Sequence, residues 1–330
     1  MLLFLGLLSF ACTSWTAESA SKGSTTLGVD GARFTLNGEP AFLLGFSYYG
    51  GLGAPEEFVL QDLAEFRAHG FNWLRVWATW SAYETNVSAV TVEGRLREPY
   101  LSRLRWLIGE CDRMGMVVDV TLTRGKVMPE LDSHRRAVEL LVTELKPYRN
   151  WYIDLANERD VGDDRFVSVA ELKELRDLVR VLDPQRLVTA SFGGHDLSRE
   201  DVQDARNVVG VDFLCPHRPR HQSSPGETGD ETRRLAAMLQ EPGLLVPIHY
   251  QEPFRRGYTS WEPVASDFTT DLRGAIEGGA AGWCFHNGGQ RSSPNERPRR
   301  SFDLRQERLF EQLDEEELEF VRSAASCLSE

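Results

Sequence analysis

Between residue 41 and residue 325 the chain repeats one pattern eight times: a short apolar run, then a stretch with apolar residues at helical spacing. The runs are residues 41–48, 71–76, 116–122, the segment opening at Trp151, then 186–192, 208–215, 244–249 and 280–285. Helical spacing is read over 55–68, 101–114, 133–146, 169–182, a short piece capped by Ser198, 231–239, 267–277 and 307–325. Pro55 opens the first helix, Gly70 and Gly115 stop the first two, and Asp183-Pro184 ends the fourth. Strands joined by helical crossovers must lie parallel. Eight such units with no break in composition at mid-chain favour a closed (β/α)8 TIM barrel over an open doubly wound sheet. Ahead of it, residues 32–40 read as a short hairpin turned at Asn37-Gly38, where both central residues tolerate positive φ. The expectation is one barrel domain over 27–330 with a short N-terminal β-hairpin.

The first twelve residues are almost wholly apolar and lead into a Ser/Thr-rich stretch that ends near Thr26. A bilayer span needs about 20 apolar residues, so residues 1–26 read as an export or lipoprotein-type leader with Cys12 as a candidate lipid anchor. The leader departs from the usual pattern in having no Lys or Arg before Lys22. Export implies an extracellular, periplasmic or envelope-anchored protein. A formal net charge of −13 argues against nucleic acid, whose binders carry a basic face. Cys111, Cys215, Cys284 and Cys327 fall in apolar contexts without metal-ligand spacing and read as buried thiols. No metal and no organic cofactor is expected, and the chain is read as a monomer.

Barrel enzymes carry their reacting groups where strands end and loops begin. Those positions here hold Tyr48 and Tyr49, Arg75 and Trp77, Arg124, Asn157 and Glu158, His195, His217, Tyr250 and Glu252, Trp283 and His286. A Gly-rich phosphate loop is missing after the first run, which weakens nucleotide readings, and so is a His-x-His, which weakens a metal amidohydrolase. Glu252 follows Glu158 by 94 residues, three units of roughly 31 residues each. Two glutamates at separate strand ends suit a retaining glycosidase, in which one is protonated to assist the leaving group and the other ionised to attack the sugar.

On these residues the chain resembles a clan A glycoside hydrolase, nearest in style to the family-five cellulases and β-mannanases. The likeness spans residues 32–325. It rests on Phe34-Thr35-Leu36-Asn37-Gly38-Glu39-Pro40, Gly70-Phe71-Asn72-Trp73-Leu74-Arg75-Val76, Asn157-Glu158, Glu252 and Trp283. The resemblance implies Glu158 as acid/base, with a raised pKa, and Glu252 as nucleophile, held ionised by Arg75. It further implies that Asn157 bonds the sugar 2-hydroxyl, that Trp283 lies under the sugar ring, and that His217 and Tyr250 orient Glu252 or substrate. Tyr48, Trp77 and His286 complete the expected substrate contacts, and Trp80 and Tyr83 are candidates for a glycan groove. Three departures stand out: Arg159 where the family usually has Pro, Arg218-Pro219 where it commonly has a nucleophile-touching Tyr, and Pro253-Phe254 after the second acid. The expected activity is retaining hydrolysis of a β-linked glycan or oligosaccharide. A carbohydrate-binding pseudoenzyme and a transglycosylase are the alternatives.

Overall fold

The computed structural model of the chain describes residues 25–286 and 302–328. Cys12, nearly all of the leader and the polar stretch 290–300 lie outside the described residues. Elements are β1 (Leu27–Asp30), β2 (Arg33–Leu36), β3 (Glu39–Ala41), β4 (Leu43–Ser47), α1 (Glu56–Ala68), β5 (Trp73–Trp77), α2 (Tyr100–Arg113), β6 (Val117–Thr121), α3 (Leu131–Leu145), β7 (Trp151–Asp154) and α4 (Val169–Leu182). They continue as β8 (Val188–Thr189), β9 (Ser191–Phe192), α5 (Arg199–Gln203), β10 (Cys215–Pro216), α6 (Ser224–Met238), β11 (His249–Tyr250), α7 (Ala265–Gly278), β12 (Gly282–Phe285), α8 (Leu309–Gln312) and α9 (Glu315–Ala324).

Seven strands form one parallel sheet in the order β8-β7-β6-β5-β4-β12-β11. β9 pairs in parallel with β10, and a single parallel bridge joins Leu214 to Ile248, next to β11. The architecture is an α/β barrel. β1, β2 and β3 form a separate antiparallel sheet, turned at Asn37 (φ 56°) and Gly38 (φ 87°). Its Phe34 ring meets Phe213 at 5.0 Å and His249 at 5.7 Å and so closes one end of the barrel.

Alternation along the strands sorts side chains into two layers. Leu74, Val76, Val118, Val120 and Ile153 join the large apolar cluster shared with the helices. Trp73, Val117, Tyr152, Phe213, Cys215 and Cys284 fill the barrel interior. The next inward positions along β5, β6 and β7 are Arg75, Asp119 and Asp154, all fully buried. Cross-strand register places Arg75 beside both Ser47 and Asp119. An aromatic layer therefore supports a charged one, and the charged layer is the floor of the site. Gly45 has no room for a side chain, because a Cβ there would strike the Trp73 ring and come within 2.7 Å of its carbonyl oxygen. Gly45→Ala is expected to lose about 3 kcal/mol or more by overpacking, read as a lower urea midpoint.

The strand ends and the later units differ from expectation. Residues 204–209 form a π-helical turn closed by Gly210, so the sixth strand is only Cys215–Pro216 and not 208–215. Val209 is buried against the helical layer while Val208 is 44% exposed, which breaks the expected strand run. α6 starts at Ser224, ahead of the helical spacing read over 231–239, in a polar segment 220–230 whose composition suits a surface loop. Its buried face is Ser224, Thr228 and Thr232 packed against α7, where a Cβ on Gly274 would lie 2.9 Å from the Gly229 nitrogen. Until Leu235 such a face carries no aliphatic signal. The last helix is split in two at Leu313.

Candidate active site

Glu158 follows β7 and Glu252 follows β11, and both carboxylates line one cleft of about 480 Å³. Oxygens of the two acids and a nitrogen of His217 all lie within 4.8 Å of one another. Glu158 holds φ at 49°, a left-handed conformation that costs a non-glycine residue roughly 1–2 kcal/mol. Ser191 over-determines it, since its Oγ accepts from the Glu158 nitrogen at 3.1 Å and its carbonyl accepts from the Arg159 nitrogen at 3.0 Å. Strain of this kind persists only where the surroundings over-determine it, and it clusters at functional sites.

Glu252 is 5% exposed and gripped from both sides. Arg75 Nη1 and the Tyr49 hydroxyl (2.8 Å) donate to Oε1, and Arg220 Nη2 donates to Oε2 at 2.9 Å. His286 Nε2 lies 3.5 Å and His217 Nδ1 3.7 Å from the same Oε2. Burial opposes ionisation of Glu252, but His217 and the charges of Arg75 and Arg220 outweigh it and hold the carboxyl well below the usual range. Arg75 divides itself among Glu252, Asp119 (3.3 Å), Asp154 (3.1 Å) and Asn157 Oδ1 (2.9 Å). Burial, opposed by Arg75, raises the Asp119 pKa.

Proton positions follow from partners that can act in one way only. Arg255 Nη1 donates to His286 Nε2 at 2.7 Å, so the His286 proton is on Nδ1, 3.1 Å from both Ser47 Oγ and Tyr49 Oη. Burial keeps the Tyr49 phenol neutral, so it can donate to Glu252. His217 Nδ1 faces Glu158 Oε1 at 3.3 Å, and because a carboxylate only accepts, that nitrogen carries a proton. Arg165 donates to Glu158 Oε2 at 2.6 Å and Arg220 to Oε1 at 3.3 Å. Burial raises Glu158, yet the His217 bond and the charges of His217 and Arg220 prevail over burial and over Glu252, holding it at about 2. The expected raised pKa is not what the geometry gives: both acids are stabilised as anions. Glu158, His217 and Glu252 could offer three ligand atoms to a metal, but Arg75 and Arg220 already donate to those carboxylates and would repel a cation.

Of the sequence candidates, Trp77, Asn157, Glu158 and Glu252 line the cleft, and Arg75, His217 and His286 support the two acids from beneath. Three candidates point elsewhere. Trp283 is fully buried in the helical layer, with Nε1 donating to Asp271 at 2.6 Å and its ring 5.4 Å from Phe320. Tyr250 bonds Thr232 of α6 at 2.7 Å, and Tyr48 donates to Asp62 of α1 at 2.9 Å. Strand parity is the cause. Trp283 and His286 are three apart and cannot both face inward, and Tyr48 is outward because its neighbours Ser47 and Tyr49 are inward. Arg124 also lines the cleft, whereas His195 is tied to the Gly193 carbonyl at 2.8 Å. Trp283→Phe is expected to leave KM unchanged and to destabilise by about 1–3 kcal/mol, since Asp271 loses a buried donor; paired kinetics and denaturation curves check this.

Arg165, Arg220, Arg255, Tyr258 and Thr123 are additional wall residues that the strand-end reading missed. Arg218-Pro219-Arg220 directly beyond β10 and Arg255 three residues past Glu252 were the available signals. The tyrosine touching the second acid comes from the first barrel strand as Tyr49, in place of the residue after His217. Trp77 and Trp80 pack beside it, Tyr49 stacking on Trp80 at 4.8 Å, to make an aromatic wall.

The barrel resembles those of solved glycoside hydrolases. An endo-1,4-beta-mannanase from Rhizomucor miehei aligns with TM-score 0.65 and 13% identity over 92% of this chain and 100% of that one. A glycoside hydrolase family 5 mannosidase from the same organism gives 0.67 and 14% over 94% and 99%. An endo-1,4-beta-D-mannanase from Thermotoga petrophila gives 0.59 and 14% over 86% and 99%. The chain has the fold of these glycoside hydrolases. No protein-family model matches the sequence, and no curated protein sequence matches it.

Proposed function

We propose that the chain is a retaining glycoside hydrolase acting on a β-linked glycan or oligosaccharide, built on a (β/α)8 barrel whose ring closes through the short pairs of β9 to β11. The observation that carries this reading is the two glutamates meeting across one cleft with oxygens within 4.8 Å. Retaining enzymes hold their carboxyl groups about 5–5.5 Å apart, and inverting ones about 6.5–9.5 Å. Glu252, ionised and fixed by Arg75 and Tyr49, forms a bond to the anomeric carbon as the glycosidic C–O bond breaks. Glu158 gives its proton to the departing oxygen, then takes one from the water that displaces Glu252. Asn157, oriented by Arg75, is placed to bond the 2-hydroxyl, a contact that strengthens in the transition state. The leader over 1–26 supports export, with Cys12 as the site of any lipid anchor, and the chain is proposed to act as a monomer.

One observation favours a second reading. Arg220 Nη2 lies between Glu158 (3.3 Å) and Glu252 (2.9 Å), the place an anomeric carbon must take. A glycan-binding protein without turnover could leave it there. Release of reducing sugar or aryl leaving group by wild type and Glu252→Ala decides between them. Turnover by wild type alone supports the hydrolase, and binding without cleavage across a broad glycan panel supports the alternative. Analysis of products formed with added acceptor sugars separates hydrolysis from transglycosylation.

A further inference from the structure

Five cations, Arg124, Lys126, Arg165, Arg220 and Arg255, line the cleft of a chain whose net charge is −13. Arg165 and Arg124 have acidic partners, Asp163 and Glu171, at 2.8 and 3.0 Å. Lys126 has no ion-pair partner among the described residues. More telling is the pair at the mouth: Arg220 and Arg255 stand over the same Tyr258 ring, their guanidinium carbons 5.3 and 4.5 Å from its centroid. Two like charges gathered at one ring repel, and besides burial it is the Arg220 charge that lowers the Arg255 pKa. Arg220 meanwhile bridges the two acids and blocks the position between them, anchored by its Nε on the Pro253 carbonyl at 3.0 Å.

Resting on the glycosidase reading, we propose that the substrate is an anionic glycan whose ring-borne carboxylate or sulfate draws Arg220 off the two glutamates and is held between Arg220 and Arg255. The anion removes the repulsion of the guanidinium pair and presents oxygens in the geometry a guanidinium prefers. Removing Arg220 from between the acids opens the anomeric position and withdraws a positive charge from Glu158, which favours its protonated form. Neutral glycans of the same linkage lack the means to move Arg220. The charged group is therefore a condition for catalysis and not a bystander.

The test measures Kd and kcat/KM of the full chain with β-linked uronate oligosaccharides against their carboxyl-reduced counterparts. A second arm sets sulfated β-linked oligosaccharides against their desulfated counterparts. Arg255→Gln and Arg255→Lys are measured in parallel at low and high salt. The expected result is roughly tenfold to a hundredfold preference for the charged member in one arm. That preference collapses in Arg255→Gln, returns in part in Arg255→Lys, and shrinks with salt. Whichever arm responds identifies the anion. Equal or better binding of the neutral members overturns the proposal, and if they are also cleaved the glycosidase reading survives it. Failure to bind or cut either member overturns both.

Discussion

Glu252→Ala is expected to lose turnover by a factor on the order of 10⁴–10⁶, the range for removing an attacking group from a preorganised site. Sodium azide should then restore cleavage of an activated aryl β-glycoside, because the truncated side chain leaves room for a small anion beside the anomeric carbon. The product should be the inverted glycosyl azide, formed in one displacement. Glu158→Ala should behave oppositely: azide intercepts the glycosyl intermediate on Glu252 and gives the retained azide. Stereochemistry by NMR reads both outcomes. A retained azide from Glu252→Ala would exchange the roles of the two residues, and no azide product from either would remove covalent catalysis from the reading. Arg75 and Tyr49 remain in place in the Glu252 variant, so the pocket keeps the positive charge and the donor that attract the rescuing anion.

Removal of His217 is expected to shift the pH dependence by up to about two units. Glu158 is held at about 2 against burial, first by the His217 bond and then by the His217 and Arg220 charges. An ordinary glutamate titrates near 4.3. The sign follows directly: a depressed carboxyl is protonated only below its lowered pKa, so a group needed as an acid is scarce at neutral pH. His217→Phe takes away the strongest stabiliser of the anion, and the descending limb of kcat/KM against pH should move upward. Each unit of movement gives about tenfold more protonated Glu158 at pH values above both limbs. The gain should appear with poor leaving groups, which need the proton, and vanish with a dinitrophenyl glycoside, which does not. A limb that stays in place, or moves down, would take Glu158 out of the acid role. The same contact stabilises the fold above the ordinary carboxyl pKa, a contribution lost as pH falls toward 2.

The barrel was legible because its burial is periodic. Apolar runs and helical stripes recur from β4 to α9, and α4 has its expected bounds because a capping box at Ser168 and Glu171 marks its start. Glu158, Glu252, Arg75 and Asn157 were legible for a related reason: strand ends are where a barrel must expose its chemistry. Whatever depends on side-chain parity was not. Tyr48, Tyr250 and Trp283 are apolar-bodied residues at or near strand ends, and only the register of the neighbouring strand tells that they turn toward the helices. The arginines of the wall were missed because they sit in loops, where no period links sequence to direction. The N-terminal part of α6, ahead of residue 231, escaped because its packed face is made of Ser, Thr and Gly, which read as solvent-facing.

The barrel is unevenly stitched. β5 and β6 share five paired positions, whereas Leu214 and Ile248 supply a single bridge and the flanking pairs are two residues long. Amide exchange should therefore be fastest along this seam, where few ladder bonds must break for the backbone to part. His217, Arg220 and Glu252 are all carried by chain leaving that seam. The half of the cleft proposed to rearrange for a ligand is thus mounted on the flank least able to resist, while Glu158, Asn157 and Arg75 are borne by the stiff one.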